Sequence, residues 1–187
     1  EKIFKIIKPL TVPIWKDAKA AVGVSEHVMD LIVKAYGIEA KTIFNGIDIP
    51  ETLPEARPPK STLRLVFVGR FTPQKNLKFI MENLAQLTDL PWELDVAGDG
   101  PLFESIQQLA LGLGLGSERV RFHGWMDPDG ADRLMGECDI LLMPSLWEGM
   151  PVVAVKALAA GLAIVGSNIP GMKGVLTHEL NGLSISA

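Results

Sequence analysis

Apolar and polar positions follow two regimes along this chain. Over the first sixty residues apolar positions come in short, separated groups. Ile3, Phe4, Ile6, Ile7 and Leu10 interleave with Lys2, Lys5 and Lys8, which predicts a short amphipathic helix over 1–10 that Pro9 disturbs or ends. Residues 20–24 predict a strand, Ser25 is placed to cap a helix through Tyr36 with Gly37 as its stop, and 41–44 predict another short strand. Pro50, Pro54, Pro58 and Pro59 then fall within 49–61, a composition that excludes regular structure and marks a domain boundary.

From Leu63 onward the pattern changes to short apolar runs alternating with helical periodicity. Strands are predicted at 65–68, 92–97, 120–122, 140–143, 163–165 and 183–185. Helices are predicted at 76–87, 101 to about 113, 131 to about 136, and 151–160 with Gly161 as a left-handed cap. Ile140-Leu141-Leu142-Met143, stopped by Pro144, fits a strand buried on both faces. Strict alternation of this kind predicts an α/β fold, a Rossmann-like parallel sheet with helices on both faces. The predicted domains are therefore 1–48, a connector at 49–61, and 62–187.

Composition narrows the function classes. Apolar residues make up 48% and charged residues 21% of the 187, so the chain carries enough apolar surface for a core and is not disordered. A net charge of −4 with no long basic run gives no reason to expect nucleic acid. Cys138 is the lone cysteine, which rules out an intramolecular disulfide and makes a reducing cytoplasm the expected compartment; the thiol itself reads as a small buried hydrophobe. The basic helix at 1–10 adds peripheral contact at the inner membrane face as an expectation, although a solvated face over a core stripe is the simpler account. The longest nearly apolar stretch, 151–166, is interrupted by Lys156 and too short to span a membrane. No His, Cys and carboxylate spacing suggests a metal site.

Two loops stand out chemically. In Gly69-Arg70-Phe71-Thr72-Pro73-Gln74-Lys75-Asn76, Thr72 is a good N-cap and Pro73 a good first helical residue. Lys75 is then expected in a first helical turn, where a cation opposes the dipole unless an anion neutralises it. Arg70 adds a planar fork suited to two phosphate oxygens. Ordinary surface ion pairs explain both cations equally well on spacing alone. The second loop presents Glu148 and Gly149 ahead of Pro151, at the C-terminal edge of a strand and beside a helix start, where open α/β sheets bind ligands. The dipole alone also favours an acid there.

Taken together, several motifs in order resemble the family 4 retaining glycosyltransferases of the GT-B fold. They are Val24-Ser25-Glu26, Asn45-Gly46-Ile47-Asp48, Gly69-Arg70 with Lys75, Gly98-Asp99-Gly100-Pro101, Phe122-His123-Gly124-Trp125, Glu148-Gly149-Met150-Pro151, and Ala157-Leu158-Ala159-Ala160-Gly161. The resemblance implies a donor-binding C-terminal domain preceded by the tail of an N-terminal acceptor domain, within a longer enzyme. It implies transfer of a hexose from a UDP- or GDP-type nucleotide sugar with retention at the anomeric carbon, in polysaccharide or glycolipid assembly, with no cofactor and no metal. Arg70 and Lys75 would hold the diphosphate and stabilise the leaving group, and Glu148 would face the donor sugar. Gly149, Met150, Pro151 and Val152 would approach sugar and diphosphate, while Gly69, Gly98 and Gly124 would line the nucleotide site. His123 and Trp125 are placed to touch the base, although an edge-of-core role is the simpler account for both.

Two positions depart from that pattern. Lys156 stands where the family carries a second Glu that accepts from the ribose hydroxyls, and a lysine has only donors. Three accounts of Lys156 follow: it meets a phosphate, it pairs with an acid, or it disables the site. Gly174 stands where a further acid is usual. A fragment lacking the acceptor half is expected to bind donor but turn over little. The alternative is a degenerate, non-catalytic binding or assembly module.

Overall fold

The computed structural model describes residues 2–49, 54, 58 and 61–186, with side chains from residue 7 onward. Most of the proline-bearing stretch 49–61 lies outside those residues. The chain divides into two compact units, Glu1–Asn45 and Gly46–Ala187.

In the first unit, helix α1 (Lys2–Asp17) is followed by strand β1 (Val22–Gly23), helix α2 (Glu26–Tyr36) and strand β2 (Lys41–Thr42). Strands β1 and β2 pair in parallel, Val22 opposite Lys41. The expectation that Pro9 would disturb or end the first helix is corrected, because α1 runs through both Pro9 and Pro13. Each proline removes a single i→i−4 donor, and at a spacing of four both gaps lie on one side of the helix. Thr11 Oγ1 donates to the Lys8 carbonyl at 3.2 Å in the same turn, and the Trp15 ring stacks on Tyr36 of α2 at 4.9 Å. The ends of α2 are as expected: Ser25 Oγ accepts from Val28 N at 3.3 Å, and the left-handed Gly37 donates to the Val33 carbonyl at 2.8 Å.

The second unit is built on six parallel strands in the order β5-β4-β3-β6-β7-β8. They are β3 (Leu63–Val68), β4 (Trp92–Ala97), β5 (Val120–Gly124), β6 (Ile140–Met143), β7 (Ala163–Ser167) and β8 (Gly182–Ile185). Helices α3 (Leu77–Leu84), α4 (Phe103–Gly112), α5 (Pro128–Gly136) and α6 (Val152–Ala159) connect them, with short 3-10 turns at Pro73–Lys75 and Pro170–Met172. The chain runs outward from β3 to β5, crosses back over, and runs the other way from β6 to β8. Right-handed crossovers therefore place α3 and α4 on one face and α5 and α6 on the other. The predicted α/β class, a Rossmann-like parallel sheet, is what is found.

Each face has its own core. Leu65, Phe67, Leu94 and Val96 pack against Leu77, Ile80 and Met81 of α3 and Ile106 of α4. Val66, Ala97, Leu141 and Ile164 pack against Leu134 and Met135 of α5 and Ala154 and Ala157 of α6. Over β6 to β8 the first face carries no helix among the described residues. Ile140, Leu142, Val165 and Ile185 floor an apolar groove of about 700 Å³ there.

Three helix starts differ from expectation. Asn76 is left-handed at φ 53°, so it separates the 3-10 turn from α3, which begins at Leu77. Helix α5 starts at Pro128 rather than 131, because Asp127 caps it by accepting from Gly130 N at 2.6 Å. Pro151 serves as the extended residue before α6 rather than its first turn. Gly161 is left-handed as expected.

Candidate functional site

The topological reversal lies between β3 and β6, which pair directly. Loops leaving the C-terminal ends of these two strands border the crevice expected at such a reversal. One is 69–76 and the other 144–151, the two stretches singled out from sequence.

Three bonds lock these loops together. Leu146 N donates to the Gln74 carbonyl at 2.8 Å, Gln74 Nε2 donates to the Trp147 carbonyl at 2.8 Å, and Lys75 Nζ lies 2.6 Å from Glu148 Oε1. The Lys75 and Glu148 side chains are 18% and 9% exposed, so this pair is largely out of water, where an unpaired charge would be costly. Thr72 and Pro73 open a helical turn that holds Lys75 as expected, but it is a single 3-10 turn that Asn76 separates from α3. The required anion is nonetheless present, and it is Glu148. Structure thus joins two residues that the sequence offered separately.

Arg70 sits at the mouth of the crevice, exposed, and pairs with no carboxylate among the described residues. Its position is set by the next residue. Phe71 is fully buried, packs at 5.0 Å from the Phe103 ring, and exchanges backbone bonds with the loop after β4: Phe71 N to the Asp99 carbonyl at 2.9 Å, Leu102 N to the Phe71 carbonyl at 3.1 Å.

Gly69 and Gly98 form one wall, with Gly124 bonded behind Gly98. Gly98 N donates to the Gly124 carbonyl at 2.7 Å. At Gly98 φ is 131°, and a Cβ there would fall 1.9 Å from the Gly69 carbonyl oxygen, so only glycine fits. This wall closes a cavity of about 410 Å³ bordered by Arg70, Asp99, Trp125, Met126 and Ala131. On the other side of Arg70 lies a second cavity of about 460 Å³, bordered by Thr72, Gln74, Lys75 and Trp147. Arg70 belongs to both.

A further contact comes from the stretch 169–174, the one in which Gly174 stands. Gly171, in the 3-10 turn after β7, lies so close to Glu148 that a Cβ would be 2.1 Å from the Glu148 carbonyl oxygen. Its only local signal is the Pro170-Gly171 turn.

Other expected residues lie elsewhere. Gly149 and Pro151 complete the loop, and Met150 packs against the α6-side core. Val152 and Lys156 face a separate cavity of about 610 Å³ with Ile47, Asp48, Asp132 and Met135. Lys156 Nζ is held 2.6 Å from Asp132 Oδ2, so of the three accounts above, pairing with an acid is the one observed.

His123 and Trp125 part company. His123 Nε2 lies 2.8 Å from Asp95 Oδ1, at the rim of an ion network in which the buried Asp95 also meets Arg121 at 3.0 Å and Arg64 at 3.2 Å. Burial alone would raise the Asp95 pKa, but hydrogen bonds from Arg121 and His123 and the Arg121 charge outweigh it and bring it down to about 2. Trp125 is 74% exposed, which corrects the edge-of-core account for this residue: β5 ends at Gly124, whose positive φ turns Trp125 outward. Cys138 is buried, and burial with the Asp95 charge pushes its thiol up to about 11, so it is no nucleophile at neutral pH.

Among the described residues no cluster of three or more His, Cys, Asp or Glu is placed to hold a metal, and no helix is long and apolar enough to cross a membrane.

Comparison with known proteins is consistent with this geometry. The family model described as glycosyl transferases, group 1, matches residues 48–187. An uncharacterized glycosyltransferase of Methanocaldococcus jannaschii is 30% identical over 120 residues, 64% of this chain and 30% of the relative. A lipopolysaccharide 1,6-galactosyltransferase of Salmonella typhimurium is 29% identical over 167 residues, 86% of this chain and 45% of the relative. Among solved structures, the apo form of the lipopolysaccharide outer core galactosyltransferase WaaB superposes with a TM-score of 0.74 at 25% identity, covering 90% of this chain and 49% of that one. Anabaena HepE in complex with UDP-glucose superposes with a TM-score of 0.81 at 22% identity, covering 96% and 53%. The chain thus spans half or less of the curated relatives it matches.

Proposed function

The chain belongs to the group 1 glycosyltransferases of the GT-B fold, and from that premise we propose that it is the donor-binding half of a retaining hexosyltransferase that uses a nucleotide sugar. The observation that carries this reading is the Lys75–Glu148 pair bridging the β3 and β6 loops at 2.6 Å, with Arg70 exposed beside it. Two cations at the reversal of a parallel sheet suit a diphosphate, and a carboxylate held against one of them suits the sugar side of the scissile bond.

Departure of the nucleoside diphosphate concentrates negative charge on its terminal phosphate. Arg70 and Lys75 are positioned to stabilise that charge more in the transition state than in the bound donor. Glu148 holds Lys75 in place and presents its carboxylate toward the sugar. No step requires a metal. The acceptor is supplied by the other half of the enzyme, in polysaccharide or glycolipid assembly, and this chain alone binds donor and turns over little. Names of relatives point to UDP-sugars as the first donors to try.

Calorimetric titration with UDP-, GDP- and ADP-sugars tests the reading. Saturable binding selective for one base is expected, and its loss in Arg70→Ala is part of the prediction. Absence of binding by the native chain to all three would overturn it.

A second reading is favoured by one observation. Lys156, tied to Asp132, offers no acceptor at its position, as in a module that keeps the fold without transfer. Recovery of donor binding only in Lys156→Glu would select this second reading.

A further inference from the structure

Lys75 holds the side chain of Glu148, and the turn after β7 holds its backbone. We propose that Gly171 is a positioning residue for the Lys75–Glu148 pair: having no side chain, it lets the 3-10 turn Pro170–Met172 lie against the Glu148 main chain and so sets where the carboxylate points. That the pair serves a sugar donor rests on the reading above; that Gly171 positions it does not.

Space rather than backbone conformation demands glycine here. The φ of Gly171 lies outside the left-handed region, so the dihedral does not call for glycine. Gly171 is buried, however, and a Cβ on it would overlap the Glu148 carbonyl oxygen and lie 3.0 Å from Glu148 Cβ. With alanine in its place, either the turn or Glu148 must move.

The turn has little room to retreat. Met172 is 2% exposed in the α6-side core, its N–H donates to the Ile169 carbonyl at 3.0 Å, and its carbonyl accepts from Leu176 N at 2.8 Å. Its Cε lies over Gly166, where an added Cβ would be 2.9 Å away. The two residues before Glu148 are tied as well, Leu146 N to the Gln74 carbonyl and the Trp147 carbonyl to Gln74 Nε2, both at 2.8 Å. Glu148 itself therefore takes the displacement. Its carboxylate is 2.6 Å from Lys75 Nζ, and a charge-assisted bond weakens steeply once its length and angle drift. Loops from three neighbouring strands thus converge on one carboxylate: the β3 loop supplies its cation, the β6 loop carries it, and the β7 loop sets its backbone. A group fixed in this way needs no reorientation at the moment of reaction.

A double-mutant cycle on Lys75→Ala and Glu148→Ala, read by urea unfolding, reports how strongly the two side chains are coupled. We would run it in the native chain, in Gly171→Ala, and in Leu84→Ala, a truncation in the core of the other face that controls for lost stability as such. Coupling of about ten-fold in the unfolding constant is expected in the native and Leu84→Ala backgrounds, and of less than about three-fold in Gly171→Ala. A glycine with a merely structural role would lower all four members of the cycle alike and leave the coupling intact, which would overturn the proposal. Should Gly171→Ala not fold, Pro170→Ala decides, because it loosens the start of the turn without a clash. Coupling is expected to fall there by about two-fold or more, and unchanged coupling overturns the proposal. Calorimetry with UDP and UDP-glucose adds the functional readout: Gly171→Ala should lower affinity for UDP-glucose relative to UDP by about ten-fold. An unchanged ratio would overturn a role for Gly171 in donor binding. If the native chain binds neither ligand, the donor reading falls, and the coupling alone supports or overturns the positioning.

Discussion

Lys75 and Glu148 pair at 2.6 Å largely out of water, so removing either one strands the charge of the other. On the donor-binding reading proposed above, Lys75→Ala is expected to lower donor affinity by about ten-fold or more in calorimetry, and it also leaves the Glu148 carboxylate, 9% exposed, without its cation. Glu148→Gln leaves an ammonium that is only 18% exposed without its anion, and urea unfolding is expected to show a loss of about 1–3 kcal/mol. Gly98→Ala meets the Gly69 carbonyl at 1.9 Å in a left-handed backbone and should cost about 1–3 kcal/mol or more, together with nucleotide binding. Asp95 supplies a pH test. Its folded pKa, about 2, lies below the value of an unfolded aspartate near 4, so its contribution of about 2 kcal/mol is fully present above pH ~4 and disappears as pH falls toward 2. The stability gap between native chain and Asp95→Asn, measured by urea at each pH, should therefore be widest at neutral pH and narrow below pH ~4.

Elements obey local rules where their caps are local. Ser25 and Asp127 each satisfy an orphan amide at a helix start, at 3.3 Å and 2.6 Å. Alanine at either position should cost about 1 kcal/mol, more at Asp127 with its shorter, ionised bond, read as a shift in urea midpoint at unchanged slope. The strand at 140–143 was legible to the residue as a short apolar run stopped by Pro144, although Ile140 and Leu142 on one face are only half-buried, and the strand at 92–97 as apolar Trp92, Leu94 and Val96 alternating with Glu93 and Asp95. Helix starts were less legible. Pro128-Asp129-Gly130 has turn composition and conceals the Asp127 cap, and nothing local in Lys75-Asn76 announces the left-handed residue that splits the 3-10 turn from α3. Pro9 reads as the disturbance or end of the first helix, yet Pro9 and Pro13 each cost α1 a single bond on one side.

At the scale of the molecule, all six strands of the large sheet and both cores lie in Gly46–Ala187. That segment expressed alone should unfold cooperatively in urea with retained far-UV circular dichroism, and gradual, non-cooperative loss of signal would refute this. The alternation of runs and helical periods determined by itself that the sheet is parallel with helices on both faces, because right-handed crossovers admit little else. Motif order likewise placed Arg70, Lys75 and Glu148 in loops at one edge of that sheet. What only the tertiary structure decided are pairings across long separations: Lys75 with Glu148 seventy-three residues on, Lys156 with Asp132, Gly171 against the Glu148 backbone, and Trp125 turned outward while His123 is held by Asp95. The reason is physical. Periodicity and caps are set by neighbours along the chain, whereas which charge meets which depends on strand order and on the few ångströms by which two loops from adjacent strands approach one another.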